Sequence, residues 1–124
     1  MLFRSPLSVV GLWFALEDAT MENGCLWALP GRHREPLRSR FRRGPEGLFM
    51  EKSDAAPWPV EGAVPLPARR GSLIVLHGLL PHLSGANRSA RSRHAYTLHV
   101  IDGNARYPAD NWLQRAPELP LRGF

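Results

Sequence analysis

The chain has one cysteine, Cys25, and one lysine, Lys52. A single thiol excludes an intrachain disulfide and any zinc centre built from several thiolates, and it suits a reducing, cytoplasmic setting. No apolar run approaches the ~20 residues that a membrane-spanning helix needs. The run from Leu7 to Leu16, with Arg4 ahead of it, has the outline of a secretory leader. Glu17 and Asp18 then stand where small neutral residues would precede cleavage, so the run reads as a strand and no membrane partner is expected. Long helices are excluded by punctuation, because 12 prolines and 11 glycines are spread through only 124 residues. Internal repeats and coiled-coil heptads are absent as well.

What remains is a hydrophobic fraction of 44%, enough for one modest core, and a formal charge of +5 carried almost wholly by arginine. The guanidinium fork suits carboxylates and phosphates, so the bias points to an anion site or a nucleic-acid surface. Genome base composition produces the same bias, and charge alone leaves the alternatives open.

The local patterns are those of a mainly β, single-domain chain. "LSVVGLWFALED" is a strand ending near Glu17, "TMENG" a turn with Asn23-Gly24 at its tight point, and "CLWALPG" a second strand closed by Pro30-Gly31. From Arg32 the sequence "RHREPLRSRFRRG" and its Gly-, Pro- and Ala-rich continuation predict one long arginine-rich loop over 32–70. "GSLIVLHG" is the best buried strand. "HAYTLHVIDG" alternates, with Tyr96, Leu98 and Val100 on one face and Ala95, Thr97 and His99 on the other. Between these two strands "LLPHLSGANRSARS" is expected to be the loop of a hairpin. The tail over 107–124 is expected to run extended, anchored by Trp112.

Within that hairpin, His82 and Ser84 share one parity, and Arg93 shares the parity of Ala95 and Thr97, so these side chains converge if the hairpin is regular. A lone histidine near a strand end is also what an ordinary surface residue looks like. Trp13 is equally well read as aromatic core.

The order of parts and three motifs, "EDAT.ENGCLW..PG.H", "RSR.AYT.H" and "NWLQ", carry more. Together they resemble the phytanoyl-CoA dioxygenase family of iron(II)- and 2-oxoglutarate-dependent oxygenases, and within it the phytanoyl-CoA dioxygenase domain-containing proteins, from about Leu2 to Leu121. The resemblance implies a jelly-roll or cupin-like double-stranded β-helix. It also implies an activity: hydroxylation of a C–H bond in a small-molecule substrate, coupled to decarboxylation of 2-oxoglutarate. In such sites two histidines and one carboxylate hold Fe(II) on one face of an octahedron. By resemblance, His82 is the distal histidine, Arg93 grips the far carboxylate of 2-oxoglutarate, Ser84 assists it, and Trp13 lines the oxoglutarate pocket. His33 matches the histidine of the family's "PGSH" turn, which supports the site without holding the metal; here Arg32 replaces the small residue. His77 and His99 take no family role and read as packing or hydrogen-bonding residues.

One departure limits the reading. The family's other two iron ligands form a His-x-Asp motif ahead of its counterpart of the first strand, and the chain contains no His-x-Asp. "HRE", with His33 and Glu35, satisfies a His-x-Glu pattern but stands at the separate turn position. The expectation is therefore an N-terminally truncated domain that lacks its first core strands, has no catalytic residue of its own and is inactive alone. Its "SLIVLH" and "AYTLHV" strands would have exposed edges that invite self-association. Two alternatives stay beside it. One is a non-catalytic 2-oxoglutarate-binding module that keeps Arg93 and Ser84; the other is a nucleic-acid binder using Arg38, Arg40, Arg42 and Arg43.

Overall fold

The computed structural model describes residues 9–123, so Leu7 and Ser8 of the first apolar run lie outside the described residues. The architecture is mainly β. The strands are β1 Val10–Ala15, β2 Leu26–Ala28, β3 Ser39–Gly44, β4 Gly47–Lys52, β5 Val64–Leu66, β6 Leu73–His77, β7 His82–Ser84 and β8 Ala95–Val100. They form two three-stranded antiparallel sheets, ordered β6-β1-β8 and β5-β2-β7, and a separate β3-β4 hairpin.

Trp13, Ala15 and Ala19 from β1 and the turn after it, Cys25 and Leu26 from β2, and Leu76 from β6 form one buried cluster. The two sheets therefore share a core. Successive strands β6, β7 and β8 cross from one sheet to the other and back, which is the winding of a double-stranded β-helix.

This winding corrects the expected hairpin. The strands over 73–77 and 95–100 do not pair with each other, because β1 lies between them and bonds to both. The segment between them forms β7 and pairs with β2 in the opposite sheet, placing His82 across from Ala28 and Ser84 across from Leu26. The stretch over 32–70 also differs from a single loop. It contains a 3-10 turn over Arg32–Arg34, the β3-β4 hairpin and β5. Its arginines alternate in β3 and find carboxylates far along the chain, which a reading of local hydrophobic period misses.

The alternation of β8 resolves in an informative sense. Thr97 pairs with Trp13 and Ala95 with Ala15, both buried, so the less hydrophobic set Ala95, Thr97 and His99 faces inward. On the outer face, Val75, Leu12 and Leu98 form one row across the sheet, and Leu73, Phe14 and Tyr96 form another. Val75 is 60% exposed and Tyr96 55%. Trp112 packs on Phe41 of β3, at 5.8 Å between ring centres, so it does anchor the tail, against the hairpin.

Candidate functional site

The site is assembled from inward-facing residues of both sheets. From sheet β5-β2-β7, His82 and Ser84 stand two residues apart, opposite the buried Ala28 and Leu26, and so share the inner face. From sheet β6-β1-β8 comes Trp13, only 6% exposed. A cavity of about 290 Å³ lies between the sheets, with Trp13, Leu26, Leu76, His82, Thr97 and His99 in its wall.

His82 is oriented by its own segment. Its Nδ1 lies 2.9 Å from the Leu80 carbonyl oxygen, which can only accept, so Nδ1 carries the proton. In the neutral ring this fixes the tautomer and puts the lone pair on Nε2, the form in which an imidazole ligates a metal. His99 shares the cavity wall, and its pKa is held below the ordinary histidine value, first by partial burial and further by repulsion from nearby His82. His77 also reaches this wall; its Nδ1 accepts a hydrogen bond from the Leu79 amide at 3.1 Å, and its ring lies 5.0 Å from that of His33. Hydrogen bonding and packing, the roles read for His77 from the sequence, are what it shows here.

Arg93 approaches from the start of β8. Its guanidinium carbon lies 5.9 Å from the centre of the Trp13 ring, within reach of a cation–π attraction. Its Nε is buried and has no hydrogen-bond partner. A buried, charged donor without an acceptor is costly, and such a group in a native protein calls for a ligand or an ordered water. A carboxylate is the complementary acceptor for the guanidinium fork.

The structure thus brings His82 and Trp13 to one cavity and Arg93 onto Trp13, while Ser84 and Arg93 stay outside the cavity wall itself. His33 sits in the 3-10 turn. Gly31, in the left-handed conformation at φ 79°, makes the turn, and the Arg34 amide bonds back to the Gly31 oxygen at 3.3 Å. Because glycine takes the unusual conformation, the next position accepts Arg32, which pairs with Glu35 at 3.5 Å. Among the described residues there is no group of three or more His, Cys, Asp or Glu able to hold a metal ion.

Sequence reasoning missed the support of Arg93. Glu17 accepts hydrogen bonds from Ser92 Oγ at 2.7 Å, from the His94 amide at 2.8 Å and from His94 Nδ1 at 3.0 Å. Its carboxyl is held below the usual carboxylate range, chiefly by the His94 amide and then by the Ser92 hydroxyl. Asn23, 3% exposed, donates to the Asp18 and Ser92 carbonyl oxygens at 2.8 and 3.3 Å. Gly24, at φ 91°, leaves room that a Cβ would close to 2.9 Å from the Gly85 oxygen. The "EDAT.ENG" motif therefore grips the loop that carries Arg93, and only its membership in that motif marked Glu17 in the sequence.

The loop arginines are engaged within the chain. Arg38 bonds to Asp54, with its Nε 2.7 Å from Oδ2, and lies 4.5 Å over the Trp58 ring. Arg42 pairs with Asp110 and Glu51. The Arg43 guanidinium donates to the Trp112 carbonyl oxygen at 3.2 Å, and Arg40 lies 3.9 Å from Asp110. No helix among the described residues is long and apolar enough to cross a membrane.

Known proteins resemble the chain in sequence and in fold. Residues 1–95 match the family model of phytanoyl-CoA dioxygenase. A phytanoyl-CoA dioxygenase of Arabidopsis thaliana is 44% identical over 116 residues, covering 93% of this chain and 41% of the relative. Phytanoyl-CoA dioxygenase domain-containing protein 1 of Mus musculus is 45% identical over 126 residues, covering 97% and 43%. The chain thus spans about two fifths of the length of the curated relatives it matches. Among solved structures, EvdO2 of Micromonospora carbonacea, complexed with 2-oxoglutarate, superposes with a TM-score of 0.61 at 28% identity, covering 86% of this chain and 44% of that one. The non-heme alpha ketoglutarate dependent epimerase SnoN, from nogalamycin biosynthesis, gives 0.61 at 27% identity, covering 81% and 37%.

Proposed function

The chain belongs to the phytanoyl-CoA dioxygenase family, and we propose that its two sheets form the 2-oxoglutarate-binding side of an iron(II)- and 2-oxoglutarate-dependent dioxygenase domain. The observation that carries this reading is the buried Arg93 Nε without a partner, beside Trp13. In the proposed complex Arg93 takes the far carboxylate of 2-oxoglutarate, Ser84 assists it, and Trp13 forms an apolar wall that excludes water from the ion pair. His82 presents Nε2 toward the metal position. EvdO2, solved with 2-oxoglutarate, supports the choice of ligand.

Iron is a different matter. Of the histidines in the cavity wall, His77, His82 and His99, only His82 is assigned to the metal by the resemblance, and the described residues form no set of three donors able to hold it. A single imidazole does not retain Fe(II), which binds weakly among the divalent transition metals. The residues present do not fit iron by themselves, and no step through it is derived. The proposal for these residues by themselves is therefore binding of 2-oxoglutarate without turnover, as part of a domain type that would hydroxylate a C–H bond of a small molecule. The engagement of Arg38, Arg42 and Arg43 within the chain weighs against the nucleic-acid reading.

Calorimetric titration of 2-oxoglutarate into the chain tests the binding. Saturable binding that Arg93→Ala weakens at least tenfold is expected, and equal affinity in the variant overturns the assignment. Added Fe(II) is expected to give no succinate above a His82→Ala control; succinate formation above that control refutes the claim of inactivity.

A further inference from the structure

We propose that Glu17 is a positioning residue for Arg93, acting by fixing the two residues on either side of it. The inference rests on the reading of Arg93 as the carboxylate anchor. One oxygen of Glu17 takes the Ser92 hydroxyl and the other takes both the amide and Nδ1 of His94. The same two residues are held again, by Asn23 on the Ser92 carbonyl oxygen at 3.3 Å and by the Leu16 amide on the His94 carbonyl oxygen at 3.1 Å. Every one of these partners comes from the segment that ends β1 and turns after it.

Ser92 and His94 are both bonded to Glu17, while Arg93, the residue between them, lies over the Trp13 ring. The grip on 92 and 94 therefore fixes the stretch of backbone, just ahead of β8, from which Arg93 reaches the ring. Arg93 has no hydrogen bond from its own Nε to hold it there, so its placement before a ligand arrives depends on the Trp13 contact and on the backbone at 92 and 94. A flexible arginine held in its binding rotamer loses less freedom on taking a carboxylate, and the gain appears as affinity.

The test uses the whole chain and two probes, 2-oxoglutarate and 2-oxobutanoate, which lacks the far carboxylate. Glu17→Gln is expected to weaken 2-oxoglutarate about tenfold while leaving 2-oxobutanoate unchanged. Ser92→Ala, which removes one of the three bonds, gives a smaller loss in the same direction and serves if Glu17→Gln does not fold. In the double variant Glu17→Gln/Arg93→Ala, affinity for 2-oxoglutarate falls no further than in Arg93→Ala alone, because the first residue acts through the second. A second readout needs no ligand: solvent exchange of the Arg93 Nε proton by NMR accelerates several-fold in Glu17→Gln. Equal weakening of both probes, additive losses, or unchanged Arg93 exchange overturns the proposal. If Arg93→Ala itself has no effect on 2-oxoglutarate, the anchor reading fails, and the exchange measurement still decides whether Glu17 orders Arg93.

Discussion

Trp13 and Arg93 stack on the inner side of one sheet, the guanidinium carbon 5.9 Å from the ring centre, although 80 positions separate them in the chain. The ring is buried in the shared core, so it has two duties that substitution can separate. Trp13→Ala is expected to cost about 3–5 kcal/mol in urea denaturation, the usual range for emptying a tryptophan site. Trp13→Phe keeps most of the apolar volume. It is expected to fold with less than half that loss, yet to bind 2-oxoglutarate more weakly because phenylalanine is a poorer partner for a cation.

Two glycines with positive φ give a paired prediction. At Gly31 a Cβ meets nothing within 4 Å, whereas at Gly24 it meets the Gly85 oxygen at 2.9 Å. Gly31→Ala therefore bears only the conformational cost, about 1–2 kcal/mol. Gly24→Ala adds a clash with backbone that cannot move cheaply and is expected to lower the thermal midpoint further than Gly31→Ala. Equal midpoints would show that the 85–92 loop yields.

Acid should loosen the same region. The carboxyl of Glu17 is lowered chiefly by the His94 amide, that of Asp110 by Arg42, and that of Asp54 by the Ala56 amide. Each folded value lies below its unfolded one, so the unfolded chain binds more protons as pH falls. Their contribution is complete above the usual carboxylate range and disappears as pH drops through the depressed folded values. The thermal midpoint is expected to decline between about pH 5 and pH 2, and less steeply in Glu17→Gln than in the parent chain.

The tail should depend on one ion-pair network. Arg42 joins Glu51 of β4 to Asp110, the Arg43 amide donates to the Asp110 carbonyl oxygen at 2.8 Å, and Asn111 beside them is 1% exposed. Asp110→Ala removes the shared acceptor. Limited proteolysis is expected to cut the segment around 105–115 in this variant before the parent chain is cut, and unchanged protection would assign the docking to Trp112 on Phe41 instead.

Sheet β6-β1-β8 presents two apolar rows outward, with Val75 60% exposed at one edge strand. An apolar face of this kind on an open sheet favours association. Val75→Lys is expected to shift the chain toward monomer in sedimentation velocity without lowering its thermal midpoint, since the residue buries little. An unchanged distribution would exclude this face.

How much of this was legible depended on where each residue's partners lie. The strands around Trp13, Leu26, Leu76 and Thr97 follow from apolar runs bounded by glycine, proline and acidic residues, all local signals. The β3-β4 hairpin escaped because Arg40 and Arg42 look like solvated charge, and the carboxylate that pairs both, Asp110, is about 70 residues away. The pairing of "HLS" with β2 rather than with a neighbouring strand is equally non-local. His82, Ser84 and Arg93 are assigned by family resemblance, whereas Glu17 takes its meaning from Ser92 and His94, contacts that only the folded chain displays.

Strand β1 behaves as a ruler. Trp13 and Glu17 are four positions apart, so the ring that faces Arg93 and the carboxylate that steadies its neighbours are measured off along one short piece of chain. Lengthening β1 by a single residue would turn the ring outward, since side chains alternate along the strand, or carry the carboxylate in the bend after it away from Ser92 and His94. Substitutions elsewhere can be absorbed by repacking; a change of spacing here cannot. The interval between these two residues is thus a sharper mark of an Arg93 held over Trp13 than either residue alone.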